Sequence, residues 1–144
     1  MKLRRMALED IDEVSHMEEL IFTMPWSSNS FYDAVKNRNM LFVVSEHEQH
    51  ILGYCGMQFV LDEGEITNVA VEPSYQKQGI GEKMLTYLLA EAKKMEVTKI
   101  VLEVRVSNFH AIHLYEKLGF QKDGIRKDLY EKPLEDGYIM TLNQ

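Results

Sequence analysis

At 144 residues, 45% of them hydrophobic, the chain has apolar side chains for one core and too little length for two full domains, so it reads as a single domain over 1–144. Its 16 Lys and Arg against 23 Asp and Glu give a formal net charge of −7, which argues against direct nucleic-acid binding through a basic patch and leaves cationic or neutral partners. One cysteine, Cys55, excludes an intrachain disulfide and any cysteine-rich zinc site, and fits a reducing cytoplasm.

Lys2, Arg4 and Arg5 give a basic start, but Glu9, Asp10, Asp12 and Glu13 arrive before any apolar stretch, so no secretory signal is expected there. The longest apolar run, Met40–Val44, falls far short of the roughly 20 residues that cross a bilayer, and a soluble cytoplasmic protein without membrane contact is expected.

Lys2–Met6 has the length of a short strand. Ile11, Val14, Met17, Leu20 and Ile21 then recur at helical spacing behind an acidic first turn, which suits the positive end of a helix dipole. Pro25 breaks the pattern within Thr23–Asn29, and Ser27 or Ser30 is placed to cap a second helix running to about Asn37. Leu41–Ser45, Ile51–Leu61 and Glu65–Val71 predict three strands joined by the polar turns Glu46–His50 and Asp62–Gly64, an antiparallel meander. After Pro73 comes the strongest periodic signal: Ile80, Met84, Leu85, Leu88, Leu89, Ala92 and Met95 trace one face of a long helix. Lys99–Val104 follows as a β-branched strand, and Asn108–Leu118 as a shorter helix with Ala111, Leu114, Tyr115 and Leu118 on one face. Phe120–Ile125 and Tyr138–Leu142 close the chain as a pair of strands. This order gives an α/β (α+β) fold, a mixed and mostly antiparallel sheet of about seven strands flanked by about four helices.

Gln76-Lys77-Gln78-Gly79-Ile80-Gly81 lies between the third meander strand and the long helix. Glycine lets the backbone approach a ligand, and first-turn N–H groups have no carbonyl partner inside the helix, so the segment suits an anion, a pyrophosphate above all. By itself it is equally a helix start with no ligand. It matches neither G-x-G-x-x-G nor G-x-x-x-x-G-K-S/T, which disfavours a dinucleotide or nucleoside-triphosphate site.

The turn resembles the Q/R-x-x-G-x-G/A signature of the GCN5-related N-acetyltransferases (GNAT), and the order of elements around it is similar to that family's fold. Further segments resemble its ribosomal-protein-alanine N-acetyltransferase subfamily, RimI: Pro25-Trp26-Ser27 with Phe31, Ile66-Thr67-Asn68-Val69-Ala70-Val71, Leu102-Glu103-Val104-Arg105-Val106-Ser107-Asn108, Leu114-Tyr115-Glu116-Lys117-Leu118-Gly119-Phe120, Gly124-Ile125-Arg126-Lys127 and Glu135-Asp136. The resemblance implies acetyl-CoA as co-substrate; no metal is expected, because the histidines lack ligand spacing. It implies a pyrophosphate held by the main chain of Lys77, Gln78, Gly79, Gly81 and Glu82, beside Gln76, and a pantetheine arm along Val69, Ala70 and Val71. The acceptor it points to is a protein N-terminal peptide beginning with alanine, that of ribosomal protein S18. The alternatives are other protein N-termini, a small amine, or a non-catalytic CoA-binding module.

An amine attacks a thioester only as the neutral base. A free α-amine, with a pKa of about 7.7–8.0 against about 10.4 for lysine, needs only modest help from one carboxylate. In Lys99–Arg105 strand alternation puts Ile100, Leu102 and Val104 on one face and Val101, Glu103 and Arg105 on the other. By position Glu103 is either a solvated glutamate paired with Arg105 or a base beside the cleft, where partial burial would raise its pKa; the resemblance makes it the base. Tyr115 is by spacing a core residue, and in the Leu-Tyr-x-x-x-Gly-Phe motif the resemblance makes its phenol the acid that protonates the departing thiolate. Asn108 is an N-cap or a cofactor contact. Cys55, inside a strand, reads as a small buried hydrophobe rather than a ping-pong nucleophile, so direct transfer in a ternary complex is expected. His16, His47, His50, His110 and His113 show no metal-ligand spacing.

For the acceptor, the resemblance implies a channel walled by Phe22–Ser30 and by a Lys127–Gly137 loop, with contacts from Trp26, Asn68, Tyr130, Glu135 and Asp136. Trp26 reads as readily as a staple for the second helix. Asp62, Glu63, Glu65, Glu135 and Asp136 suit the mouth for a cationic tail, and equally suit solvated loops. Two departures bear on the acceptor. The subfamily commonly carries two adjacent tyrosines after Gly-x-Arg-Lys where this chain has Asp128-Leu129-Tyr130, and Gly137-Tyr138 stands where small or aliphatic residues are more usual.

Overall fold

A computed structural model describes residues 1–144. Strands β1 (Lys2–Arg5), β2 (Met40–His47), β3 (His50–Val60), β4 (Glu63–Val71), β5 (Lys99–Arg105), β6 (Gln121–Glu131) and β7 (Leu134–Asn143) form one sheet in the order β1-β2-β3-β4-β5-β7-β6. Helices α1 (Ile11–Ile21), α2 (Ser28–Lys36), α3 (Ile80–Lys94) and α4 (Phe109–Lys117) cover it. Neighbouring strands are antiparallel except β4 and β5, which are parallel. No helix is long and apolar enough to cross a membrane.

Alternation along the strands builds two cores. Leu41, Val43, Cys55, Met57, Ile100, Leu102 and Val104 meet Met84, Leu85, Leu88, Leu89 and Ala92 of α3 on one face, where Tyr115 and Phe120 also pack. Phe42, Val44, Tyr54 and Ala70 meet Ile11, Val14, Met17, Phe31 and Ala34 of α1 and α2 on the other.

The short parallel pairing positions everything that follows. β4 and β5 pair only at Glu63↔Lys99, Gly64↔Ile100 and Glu65↔Val101. Just beyond, the β3–β4 register shifts between Gly56 and Met57, leaving Thr67 as an extra residue. A bulge bends and twists its strand, so Asn68–Val71 diverge from β5 and a slot opens in the middle of the sheet.

The structure corrects several expectations. The meander turns are tighter than Glu46–His50 and Asp62–Gly64: strands run to His47 and from His50, and Glu48 (φ 50°), Gln49 (φ 68°) and Leu61 (φ 56°) accept left-handed backbone without glycine or asparagine to signal it. Ser27 rather than Ser30 caps α2, its hydroxyl accepting from Ser30 N at 3.1 Å. Leu20 is 71% exposed, and Glu18 takes the buried place, because Ile11, Val14, Ser15 and Glu18 stand at i, i+3, i+4 and i+7. On α4, Ile112 joins Tyr115 in the core while Ala111 and Leu114 face a cleft. The Lys127–Gly137 loop is mostly strand, since β6 and β7 continue to a turn at Lys132-Pro133.

β1 is tied to the start of α1 by Asp10, whose carboxylate accepts from Arg4 at 2.7 and 2.8 Å and from Ala7 N at 2.7 Å. Burial alone would push this carboxyl up, but the Arg4 and Ala7 hydrogen bonds override it and hold it below the ordinary range. A carboxyl depressed in the folded state stabilises above its unfolded pKa of about 3.9, and that contribution is lost as pH falls through the lower folded value. Asp10→Asn is therefore expected to cost about 1.5–3 kcal/mol near pH 7, read as a lower Tm. In thermal melts across pH, the gap to the native protein should narrow below about pH 3.9.

Candidate active site

The slot opens onto a cleft of about 630 Å³ between β4, α3 and α4. Its floor is the free edge of β4. Glu72 N donates to Leu52 O, so Ala70 and Glu72 turn their main-chain groups toward β3 while Val69 and Val71 turn theirs into the gap. Gln76 Nε2 takes up one of these, donating to Val71 O at 3.1 Å.

The end wall is the turn into α3. Six consecutive N–H groups, Lys77 through Glu82, find no acceptor in the protein. Lys77 (φ 64°) and Gly79 (φ 81°), both left-handed and two apart, curl the chain so that these amides line a concavity at a helix N-terminus. A Cβ on Gly79 would meet nothing within 4 Å, so the space beside it is open. Donors without acceptors, a positive helix end and an open cradle fit a diphosphate. Lys117 Nζ pairs with Glu82 Oε2 at 3.1 Å across the cleft, neutralising the one carboxylate in that first turn. Every residue expected to hold the cofactor lines the cleft except Gln78: Val69, Ala70, Val71, Gln76, Lys77, Gly79, Gly81, Glu82, Asn108 and Tyr115. Asn108 also caps α4, its Oδ1 accepting from Ala111 N at 3.2 Å.

Tyr115 stands at the inner end of the cleft, 8% exposed, its ring 5.9 Å from that of Phe120. Burial raises its phenol above the ordinary tyrosine range, with Cys55 and Tyr130 adding to the effect, so the proton stays on. Burial likewise pushes the Cys55 thiol up, which removes the thiolate that a covalent relay would need.

Glu103 lies on the sheet face opposite α3, since Ile100, Leu102 and Val104 fill the core. Its partner is Arg126 rather than Arg105: Arg126 Nη1 donates to Glu103 Oε2 at 2.7 Å, reaching across β7. Arg105 instead donates to Glu135 at 3.1 Å and to the carbonyls of Pro133 and Lys132, and its guanidinium stacks 4.4 Å over the Tyr130 ring. Burial raises the Tyr130 phenol, Glu103 and Glu135 raise it further, and Arg105 opposes them. Tyr130 thus lies within electrostatic reach of both Glu103 and Tyr115, which arrive from opposite faces of the sheet.

The other residues expected at the acceptor have mixed fates. Asn68, two positions before Ala70 and so on the Glu103 face, is 5% exposed and accepts from Thr67 Oγ1 at 2.6 Å. Trp26 staples α2, its ring 5.3 Å from Phe31 and 5.7 Å from Phe42. Glu135 accepts from Ser107 N at 2.8 Å and Asp136 from Asp128 N at 2.9 Å, so both carboxylates brace the β6–β7 hairpin. Leu129 and Gly137 are one feature: a Cβ on Gly137 would stand 2.6 Å from Leu129 Cδ2, so the missing side chain makes room for the leucine. Arg126 and Glu18 escaped sequence reasoning. For Glu18 the signal was present in its spacing from Ile11; for Arg126 there was none, because the pairing spans three strands.

The profile of the Acetyltransferase (GNAT) family matches residues 7–120. The chain belongs to the GNAT acetyltransferase family. Among other GNAT proteins, it is 37% identical to the ribosomal protein bS18-alanine N-acetyltransferase of Escherichia coli K12, over 92% of this chain and 90% of that one. A Bacillus subtilis protein carrying the same name provisionally is 41% identical, over 99% and 96% of the two chains. The crystal structure of the Escherichia coli ribosomal-protein-S18-alanine N-acetyltransferase superposes with a TM-score of 0.90 at 34% identity, over 99% of this chain and 92% of that one. The mixed seven-stranded sheet with four helices is therefore the GNAT fold, and the chain is an acetyltransferase.

Proposed function

We propose that this acetyltransferase moves the acetyl group of acetyl-CoA to the N-terminal alanine of ribosomal protein bS18, in the cytoplasm. The observation that carries the reading is the β4–β5 slot, which joins a diphosphate cradle on one sheet face to a carboxylate on the other. Likeness to the bS18-alanine enzymes along nearly the whole chain supports the acceptor.

Acetyl-CoA supplies a thioester carbonyl that an amine can attack. The amides of Lys77 to Glu82 hold its diphosphate, and the free main-chain groups of Val69 and Val71 align its arm along β4. Glu103 takes a proton from the acceptor α-amine, directly or through water, as nitrogen bonds to the carbonyl carbon. Tyr115, kept protonated by burial, donates its proton to the sulfur as the carbon–sulfur bond breaks. In this reading Trp26, Tyr130 and Asn68 contact the acceptor; support comes from the stacking of Arg105 on Tyr130 and from the hydrogen bonds by which Glu135 and Asp136 brace the hairpin beside it. Transfer is direct, in a ternary complex.

Peptides copying the bS18 terminus, peptides with other first residues, and small amines, each assayed for CoA release and acetylation by mass spectrometry, test this. The alanine peptide is expected to be preferred, and Tyr115→Phe to lower kcat on it by about 10²-fold with the acetyl-CoA KM little changed. Equal turnover of small amines would discard the acceptor reading.

A further inference from the structure

Glu18 is 3% exposed and faces no cation. Both of its oxygens are used by neutral donors: the Tyr54 hydroxyl at 2.6 Å on Oε1 and the main-chain N–H of Trp26 at 3.0 Å on Oε2. Tyr54 is fully buried in the sheet, its ring edge-on to Phe31 at 5.8 Å, whereas Trp26 belongs to the segment between α1 and α2. One turn before Glu18, buried Ser15 reaches the first residue of α2, its hydroxyl 2.9 Å from that of Ser28. The first helix therefore ties the Phe22–Ser30 stretch at two points, one in the loop and one at the start of α2.

An unpaired carboxylate is costly to bury, and an apolar side chain at this place in the α1 stripe would pack more cheaply. What only the carboxylate provides is two charge-assisted hydrogen bonds pointing in different directions, one to the rigid sheet and one to loop backbone. Trp26 leans on Phe31 and Phe42 by ring contacts alone, which leave its main chain free to slide; the Glu18 bond removes that freedom.

We propose that Glu18 is a positioning residue for the acceptor, fixing the Phe22–Ser30 wall from inside the core while taking no part in cofactor binding. This rests on the reading of that segment as an acceptor wall. Glu18→Met nearly keeps the volume but removes both acceptors, and Tyr54→Phe removes the sheet bond while leaving the Trp26 tie. In steady-state kinetics on the alanine peptide, Glu18→Met is expected to raise the acceptor KM about tenfold or more, with the acetyl-CoA KM within about twofold. Tyr54→Phe is expected to lower Tm and leave the acceptor KM within about twofold. Ser28→Ala, which cuts the second tie at an exposed position, should raise the acceptor KM about threefold and serves if Glu18→Met fails to fold.

A merely structural Glu18 would lower the active fraction, and so the apparent kcat, with both KM values unmoved; that result overturns the proposal, as does a flat acceptor KM in Ser28→Ala. Trp26→Ala, run alongside, separates the two layers. If it raises the acceptor KM while the Glu18 and Ser28 variants do not, the tie is wrong and the wall stands. If none of the three moves it, the wall reading falls and takes the tie with it.

Discussion

Glu103→Gln is expected to lower kcat on the alanine peptide by about 10²–10⁴-fold, the range set by losing a general base. The carboxamide has the same shape and still offers an oxygen to Arg126, so the fold and the interstrand contact should survive. It has no basicity, and the acceptor ammonium would have to lose its proton to solvent. The acetyl-CoA KM should hold within about threefold, because the diphosphate cradle lies on the other side of the sheet from this side chain. Rapid-quench measurement of the acetyl-transfer step distinguishes slowed chemistry from slowed release. Unchanged turnover would remove Glu103 as the base while leaving the family and the cleft intact.

Gly79→Val should abolish tight coenzyme binding while costing the folded protein comparatively little. Gly79 sits at φ 81°, where a side chain costs about 1–2 kcal/mol and a β-branched one is the worst choice. The added Cβ meets no protein atom within 4 Å, so the free protein pays only the backbone strain. The ligand meets much more: a branched side chain at this turn crowds the approach to the six free amides, and losing two hydrogen bonds to a charged diphosphate, at about 1.5–3 kcal/mol each, corresponds to about 10²–10⁴ in affinity. Calorimetric titration with CoA and parallel thermal melts read the two effects separately. Retained affinity would move the diphosphate away from this turn.

Residues whose role is set by their own element were legible in advance. The α3 stripe from Ile80 to Ala92 is buried as its spacing requires, and the alternation in β5 sends Glu103 away from the core. The turn into α3 shows its chemistry because glycine spacing and a helix start are local facts. β6 was half missed. Gln121–Glu131 carries charges typical of an exposed edge strand, and register shifts after Lys122 and Arg126 break its alternation, so from Lys127 onward it reads as loop until β7 supplies the ladder. The partners of Glu135 and Asp136 were illegible for a related reason: their acidity is visible in sequence, while the N–H groups of Ser107 and Asp128 that they accept from come from other elements.

What the chain determined by itself is therefore its set of elements, the buried faces of α3 and β5 and the anion-ready glycine turn, all consequences of the 3.6- and 2-residue periods and of backbone chemistry within a few positions. What only the tertiary structure decided is where β4 leaves β5, that Arg126 rather than Arg105 meets Glu103, and that Glu18 ties the α1–α2 loop to the sheet. Those depend on strand register and on side chains brought together from far along the chain. Because one bulged residue can shift such a register, no local periodicity encodes it.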